Sequence, residues 1–140
     1  MLMMDSAALN AFLARDFAEV AGEFIVDRAD EAGVALRLIV GRQHLRPGGT
    51  VSGPTLFALA DVAVYLAILS RIGPAALTVT TGASIDFMRK PAADVDLVAE
   101  ARLLKMGRVL AVGDVLIRAV AGGDPVARAS LTYSIPPSAR

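Results

Sequence analysis

The chain has no cysteine and no tryptophan, and a single histidine among its 140 residues. Without cysteine there is no disulfide, no thiolate nucleophile and no Cys-based zinc site. One histidine, His44, cannot build a multi-His metal centre and leaves a Ser-His-Asp triad with only one candidate base. Neither metal nor cofactor is expected. Charge of one sign is not in excess either, since 14 basic residues balance 14 acidic ones. Long-range attraction to nucleic acid or to an anionic membrane is therefore not expected. At the N-terminus, Met1-Leu2-Met3-Met4 is followed directly by Asp5, with no basic region. That pattern predicts no signal peptide and a soluble, cytoplasmic protein. No repeat, linker or low-complexity segment interrupts the chain, so residues 1–140 are expected to form a single domain.

What is abundant is apolar. Hydrophobic residues make up 55% of the chain and the mean hydropathy is +0.57. Much of the excess is Ala and Val spread along the whole length. This predicts apolar area hidden in subunit contacts as well as in a core, hence a homo-oligomer.

Residues 6–21 carry Leu9, Phe12, Leu13, Phe17 and Val20 at helical spacing, with Ser6 as N-cap and Gly22 as the stop. Segments 23–28 and 33–41 read as strands, the second with Leu36, Leu38 and Val40 on one side. A loop over 42–50 follows. Pro54 suits a first helical turn, and the helix from there runs to about Ser70, stopped by Gly73-Pro74. Segments 77–88, 95–103, 109–118 and 125–135 read as four strands. Lys105-Met106-Gly107-Arg108 and Gly122-Gly123 are turns between them. Tight turns in succession predict an antiparallel meander. One apolar helix against one curved antiparallel sheet is an α+β arrangement, and a sheet wrapped around a long central helix is the hotdog architecture.

Within the helix, Asp61 is the only charged residue between Thr55 and Leu69. The stretch is apolar on all sides and should be buried nearly all round. A carboxylate there costs several kcal/mol unless it is paired or hydrogen-bonded. Such groups serve as acids or bases with tuned affinity for protons, or cap a loop or pair with a buried Arg. The segment 55–69 is shorter than the ~20 residues that span a bilayer, and no membrane role is expected.

The run His44-Leu45-Arg46-Pro47-Gly48-Gly49-Thr50-Val51-Ser52-Gly53-Pro54-Thr55-Leu56-Phe57-Ala58-Leu59-Ala60-Asp61 resembles the signature of PaaI-type acyl-CoA thioesterases, which have the hotdog fold. Their pattern is Asn-Pro-x-Gly-x-x-His-Gly-Gly, followed by an apolar helix carrying Leu-Ala-Asp. Ser84-Ile85-Asp86-Phe87-Met88-Arg89-Lys90-Pro91 and Leu104-Lys105-Met106-Gly107-Arg108 are similar to later segments of that family. The similarity extends over residues 34–135.

The resemblance implies hydrolysis of a small or medium acyl-CoA, possible aromatic acyl groups included. It places the catalytic carboxylate, as general base or nucleophile, on Asp61. The backbone N–H that polarises the thioester carbonyl falls on Gly53. A hydroxyl assisting water or the carboxylate falls on Thr80, by counting back from Phe87. Three positions depart from the pattern: Ser52 stands for the motif His, Pro54 for the second Gly, and Arg46 for the Asn. Pro54 has no N–H to donate, so Gly53 has no backup donor there.

The chemistry suits these residue types. A helix N-terminus offers unpaired N–H groups and a positive dipole end. Gly53 and Asp61 lie eight positions apart on one helix, about 12 Å at 1.5 Å per residue. One chain cannot bring both to the same carbonyl carbon, whereas a two-fold related copy can. The expected site therefore lies at the interface of a homodimer, or of a dimer of dimers.

Arg89, Lys90, Lys105 and Arg108 are candidates for CoA phosphates or are solubilising charges at turns. Tyr65 lines an acyl pocket or is plain core. Ser52 reads as an N-cap that could touch substrate, and Arg46 either anchors the altered loop or meets ligand. His44, beside Arg42 and Arg46, reads as a surface group. Two rival readings stay open: a non-catalytic acyl-CoA-binding hotdog protein, and a hotdog hydratase acting on enoyl-CoA, which would want a His near Asp61.

Overall fold

The structure, a computed structural model, describes residues 1–140. Two short N-terminal helices, α1 (Ser6–Asp16) and α2 (Ala18–Ala21), precede the strands β1 (Phe24–Asp30) and β2 (Gly33–Leu38). A 3-10 turn at Arg42–His44 leads into a two-residue hairpin of β3 (Leu45–Arg46) and β4 (Thr50–Val51). The long helix α3 (Gly53–Ile72) follows, then β5 (Val79–Phe87), β6 (Leu97–Met106), β7 (Leu110–Ala119) and β8 (Ala127–Ser134). Six strands form one antiparallel sheet in the order β1-β2-β6-β7-β8-β5. α3 packs on its concave face, and the α+β hotdog fold expected from the sequence is what the chain adopts.

The core follows from period-2 alternation meeting a helix that is apolar on nearly every side. On β8, Ala127, Ala129, Leu131 and Tyr133 are buried while Arg128 is exposed. From α3, Leu59, Ala63, Leu66 and Ile68 are fully buried against this face. The helix and sheet touch closely at Gly113 of β7, where a Cβ would sit 2.9 Å from Val64 Cγ1. Gly73, at φ 94°, ends α3 in a backbone conformation that side chains disfavour.

Several sequence expectations are corrected. The first helix is capped by Asp5, whose Oδ1 accepts from the Ala8 N–H at 2.9 Å, rather than by Ser6. It breaks at Phe17 instead of running unbroken to Ala21. The loop 42–50 contains the β3–β4 hairpin. The four-strand meander is in fact three strands, β6-β7-β8. β5 does not neighbour β6 but pairs with β8 at the sheet edge. α3 spans 20 residues, long and apolar enough to cross a membrane, yet 67% of its most apolar window is buried inside the fold. It is the core helix of the sheet.

Candidate active site

Asp61 leaves the apolar helix at the edge of the sheet, half-buried rather than enclosed. Its Oδ1 accepts two hydrogen bonds. Thr80 Oγ1 donates at 2.7 Å, and the Tyr133 hydroxyl lies 2.6 Å away, within 2.7 Å of the Asp61 main-chain oxygen as well. No group of the chain bonds Oδ2. One carboxylate oxygen thus carries two hydrogen bonds and the other carries none from the chain.

Tyr133 was not anticipated from the sequence. A signal was present: the alternation of β8 turns residues 127 to 133 inward at odd numbers, which places a phenol against the helix. Burial, and after it the hydrogen bond to Asp61, hold the Tyr133 phenol well above its ordinary value of 10.0. It therefore remains a donor at any working pH. Tyr65 is also raised, by burial first and by the nearby Asp16 charge second. Its hydroxyl donates to the Ala76 carbonyl at 3.0 Å, and its ring lies 6.1 Å from that of Tyr133.

Thr80 reaches Asp61 only because β5 is irregular. Strict alternation from Ile85, the one half-buried position of β5, would turn Thr81 toward the helix. Instead the register slips between Thr80 and Gly82, where Thr80 pairs with Tyr133 and Gly82 with Thr132. This bulge re-aims Thr80 onto the carboxylate.

Asp61, Tyr65, Thr80 and Tyr133 line one cleft of about 580 Å³, with Phe17 and Glu19 of the N-terminal segment on its other wall. A larger depression of about 810 Å³ lies on the opposite, charged face of the sheet, away from Asp61.

Gly53 opens α3, eight residues before Asp61. Its N–H has no acceptor in the chain. A Cβ at Gly53 would sit 3.3 Å from the ring of Phe87, so the aromatic side chain lies over the helix start. Ser52 is the N-cap: its Oγ accepts from the Thr55 N–H at 3.3 Å and contacts Thr55 Oγ1 at 2.8 Å. Pro54 occupies the first turn, where no N–H is required. Arg46 stands exposed on the β3–β4 hairpin with no ion-pair partner.

His44 corrects the sequence reading, for it is buried. Its Nδ1 accepts from the Gly41 N–H at 2.8 Å, which leaves the proton on Nε2 to bond the Glu23 carboxylate. Its main-chain oxygen accepts from the Ser52 N–H at 2.8 Å. His44 thereby ties the loop before α3 to the start of β1.

The four basic candidates are not brought together. Arg89 and Lys90 follow the Phe87 end of β5. Lys105 and Arg108 flank the β6–β7 turn, beside the Val79 end, because Val79 pairs with Ser134 and Ser134 with Leu110. The two pairs are separated by the length of β5, about 25 Å at 3.3 Å per residue. Arg89 is engaged, donating to the Pro125 carbonyl at 2.7 Å with Asp124 at 3.7 Å. Lys90, Lys105 and Arg108 are exposed, and none has a carboxylate partner in the chain.

Residues 48–126 match the model of the thioesterase superfamily. No curated protein matches the sequence significantly. Among solved structures, a protein assigned as a thioesterase from a Silicibacter species is 51% identical with a TM-score of 0.90, over 98% of this chain and 95% of that one. Zebrafish thioesterase superfamily member 2 is 26% identical with a TM-score of 0.79, over 94% and 95%. The E. coli PaaI protein of the phenylacetic acid degradation operon is 25% identical with a TM-score of 0.79, over 90% and 88%. With an antiparallel sheet around a buried helix, and a matching family model over more than half its length, the chain belongs to the hotdog-fold thioesterase superfamily and is a thioester hydrolase.

Proposed function

We infer that the protein hydrolyses a small or medium acyl-CoA, aromatic acyl groups included, with Asp61 as general base or nucleophile. The observation that carries this is the asymmetry of the carboxylate: Thr80 and Tyr133 both bond Oδ1, and Oδ2 faces no donor. A carboxylate held by one oxygen and free at the other is oriented to take a proton from water or to attack the carbonyl carbon. Water adds, the thioester C–S bond breaks, and the products are the free acid and CoA thiol.

The carbonyl is polarised by the Gly53 N–H of a second copy. β5 supports this arrangement. It is exposed at eight of nine positions, with its outer edge open and Leu77, Val79, Phe87 and Met88 uncovered nearby. A long, exposed edge strand is a template for pairing. Antiparallel pairing of two β5 strands about a two-fold axis sets the Thr80 end of one chain beside the Phe87 end of the other. Asp61 of one then meets Gly53 of its partner, and the separated cations Lys90 and Lys105 converge from different chains on one CoA. Arg46, Ser52, Pro54 and Tyr65 border that space, with Arg108 beside Lys105 and Arg89 as a tether. The single domain works in the cytoplasm, in keeping with its lack of cysteine.

The test is thiol release over an acyl-CoA panel, with light scattering for mass. Asp61→Asn should lower kcat by about 10³-fold while leaving the melting transition in place. Unchanged turnover in that variant sinks the assignment, and a fully active monomer sinks the two-chain site.

A further inference from the structure

We propose that the cleft beside Asp61 is an acyl compartment walled by the N-terminal segment, and that it admits neutral acyl groups while rejecting those that end in a carboxylate. The proposal rests on the reading of Asp61 as the reacting acid, which fixes where the acyl carbon must lie. A cleft of about 580 Å³ accommodates a ring or a medium chain. Its wall is aromatic: the Phe17 ring, at the break between α1 and α2, meets Tyr65 edge-on with centroids 5.9 Å apart.

The charges around the cleft are of one sign. Asp16, Glu19 and Asp61 border it, and no basic residue of the same chain does. Arg15 bonds the Asp16 carboxylate at 2.9 Å and partly offsets it. Glu19 has no cationic partner.

A terminal carboxylate entering here would lose water, find no cation on the cleft's own walls and face Glu19 and Asp61. The same field opposes the CoA phosphates, whose candidate partners Lys90, Lys105 and Arg108 lie outside the cleft. The charge pattern thus orients the substrate as well as sorting it: acyl end in, phosphates out.

The experiment compares chain-matched pairs. Calorimetry measures binding of two non-hydrolysable thioethers, S-hexyl-CoA and S-(5-carboxypentyl)-CoA. Thiol release measures kcat/KM for hexanoyl-CoA and adipoyl-CoA. The neutral member should win by about tenfold or more in both, as expected for a like-charge clash. Glu19→Lys, an exposed change, should narrow both ratios at least severalfold, and Phe17→Ala should weaken binding of S-hexyl-CoA. Equal affinities in the unmodified protein, or a preference that Glu19→Lys does not move, overturn the compartment. Binding preference without hydrolysis of any ester keeps the compartment and overturns the thioesterase reading instead.

Discussion

Replacing Tyr133 by Phe deletes one hydroxyl and nothing else, and asks whether the held oxygen of Asp61 matters to turnover. The ring keeps its place beside Tyr65, so no cavity opens. Thr80 still donates to Oδ1 at 2.7 Å, and the carboxylate is not orphaned. What disappears is one hydrogen bond to a charged group, typically 1.5–3 kcal/mol. With Thr80 on the same oxygen, the lower end of that range applies, about 1.5 kcal/mol or roughly tenfold in kcat. KM should move less than kcat, because the hydroxyl acts through Asp61 rather than on the substrate. The fold should lose about 1 kcal/mol, since the hydroxyl also lies 2.7 Å from the Asp61 main-chain oxygen. Thiol-release kinetics beside thermal melts separate the two effects. Adding Thr80→Val should cost more in the Tyr133→Phe background than alone, because the two donors back each other up. A lower melting temperature with kcat within twofold of the parent would show Tyr133 to be an anchor only, and would refute its role in orienting the acid.

Two other expectations concern pH and packing. Tyr65 and Tyr133 are both held above the ordinary tyrosine value. The unfolded chain therefore releases these protons first as pH rises past about 10, it binds fewer protons than the native state, and stability falls from that point upward. Tyrosinate absorbance near pH 10.5 should be weak in native protein and strong in denaturant, and equal signals would contradict the burial of both phenols. Gly113→Ala would force a Cβ to within 2.9 Å of Val64 Cγ1, on a stiff, fully buried β-branched side chain. The urea midpoint should drop by the equivalent of about 1–3 kcal/mol, and a neutral result would mean helix and sheet can part without cost.

The parts of this fold readable from sequence are those set by local pattern. The apolar helix with its single acid, the alternation of β8 and the glycine after α3 each follow from neighbours a few residues away. What escaped depends on distant partners. The break at Phe17 carries no Gly or Pro to announce it. His44 sits among polar neighbours, and only its contact with Glu23, 21 positions earlier, explains its burial. β5 takes the sheet edge because it pairs with β8, a choice its own residues do not encode. At the site, Asp61, Gly53 and Thr80 were marked by their resemblance to a known pattern, and the bulge that aims Thr80 was not. Tyr133 lies 72 positions from the acid it bonds, and alternation alone placed it inward without naming its partner.

The placement of Gly53 at the start of one helix and of Asp61 eight residues on, at its middle, has a genetic counterpart. Mix a chain carrying Asp61→Asn with a chain carrying Gly53→Pro, and each is defective alone. In a mixed pair, the sound glycine of the first faces the sound acid of the second, while the other pocket inherits both lesions. Random reassortment makes half the pairs mixed, so about a quarter of the original pockets should revive. Two dead alleles would then sustain each other, a behaviour open only to a catalyst whose working parts are lent between copies.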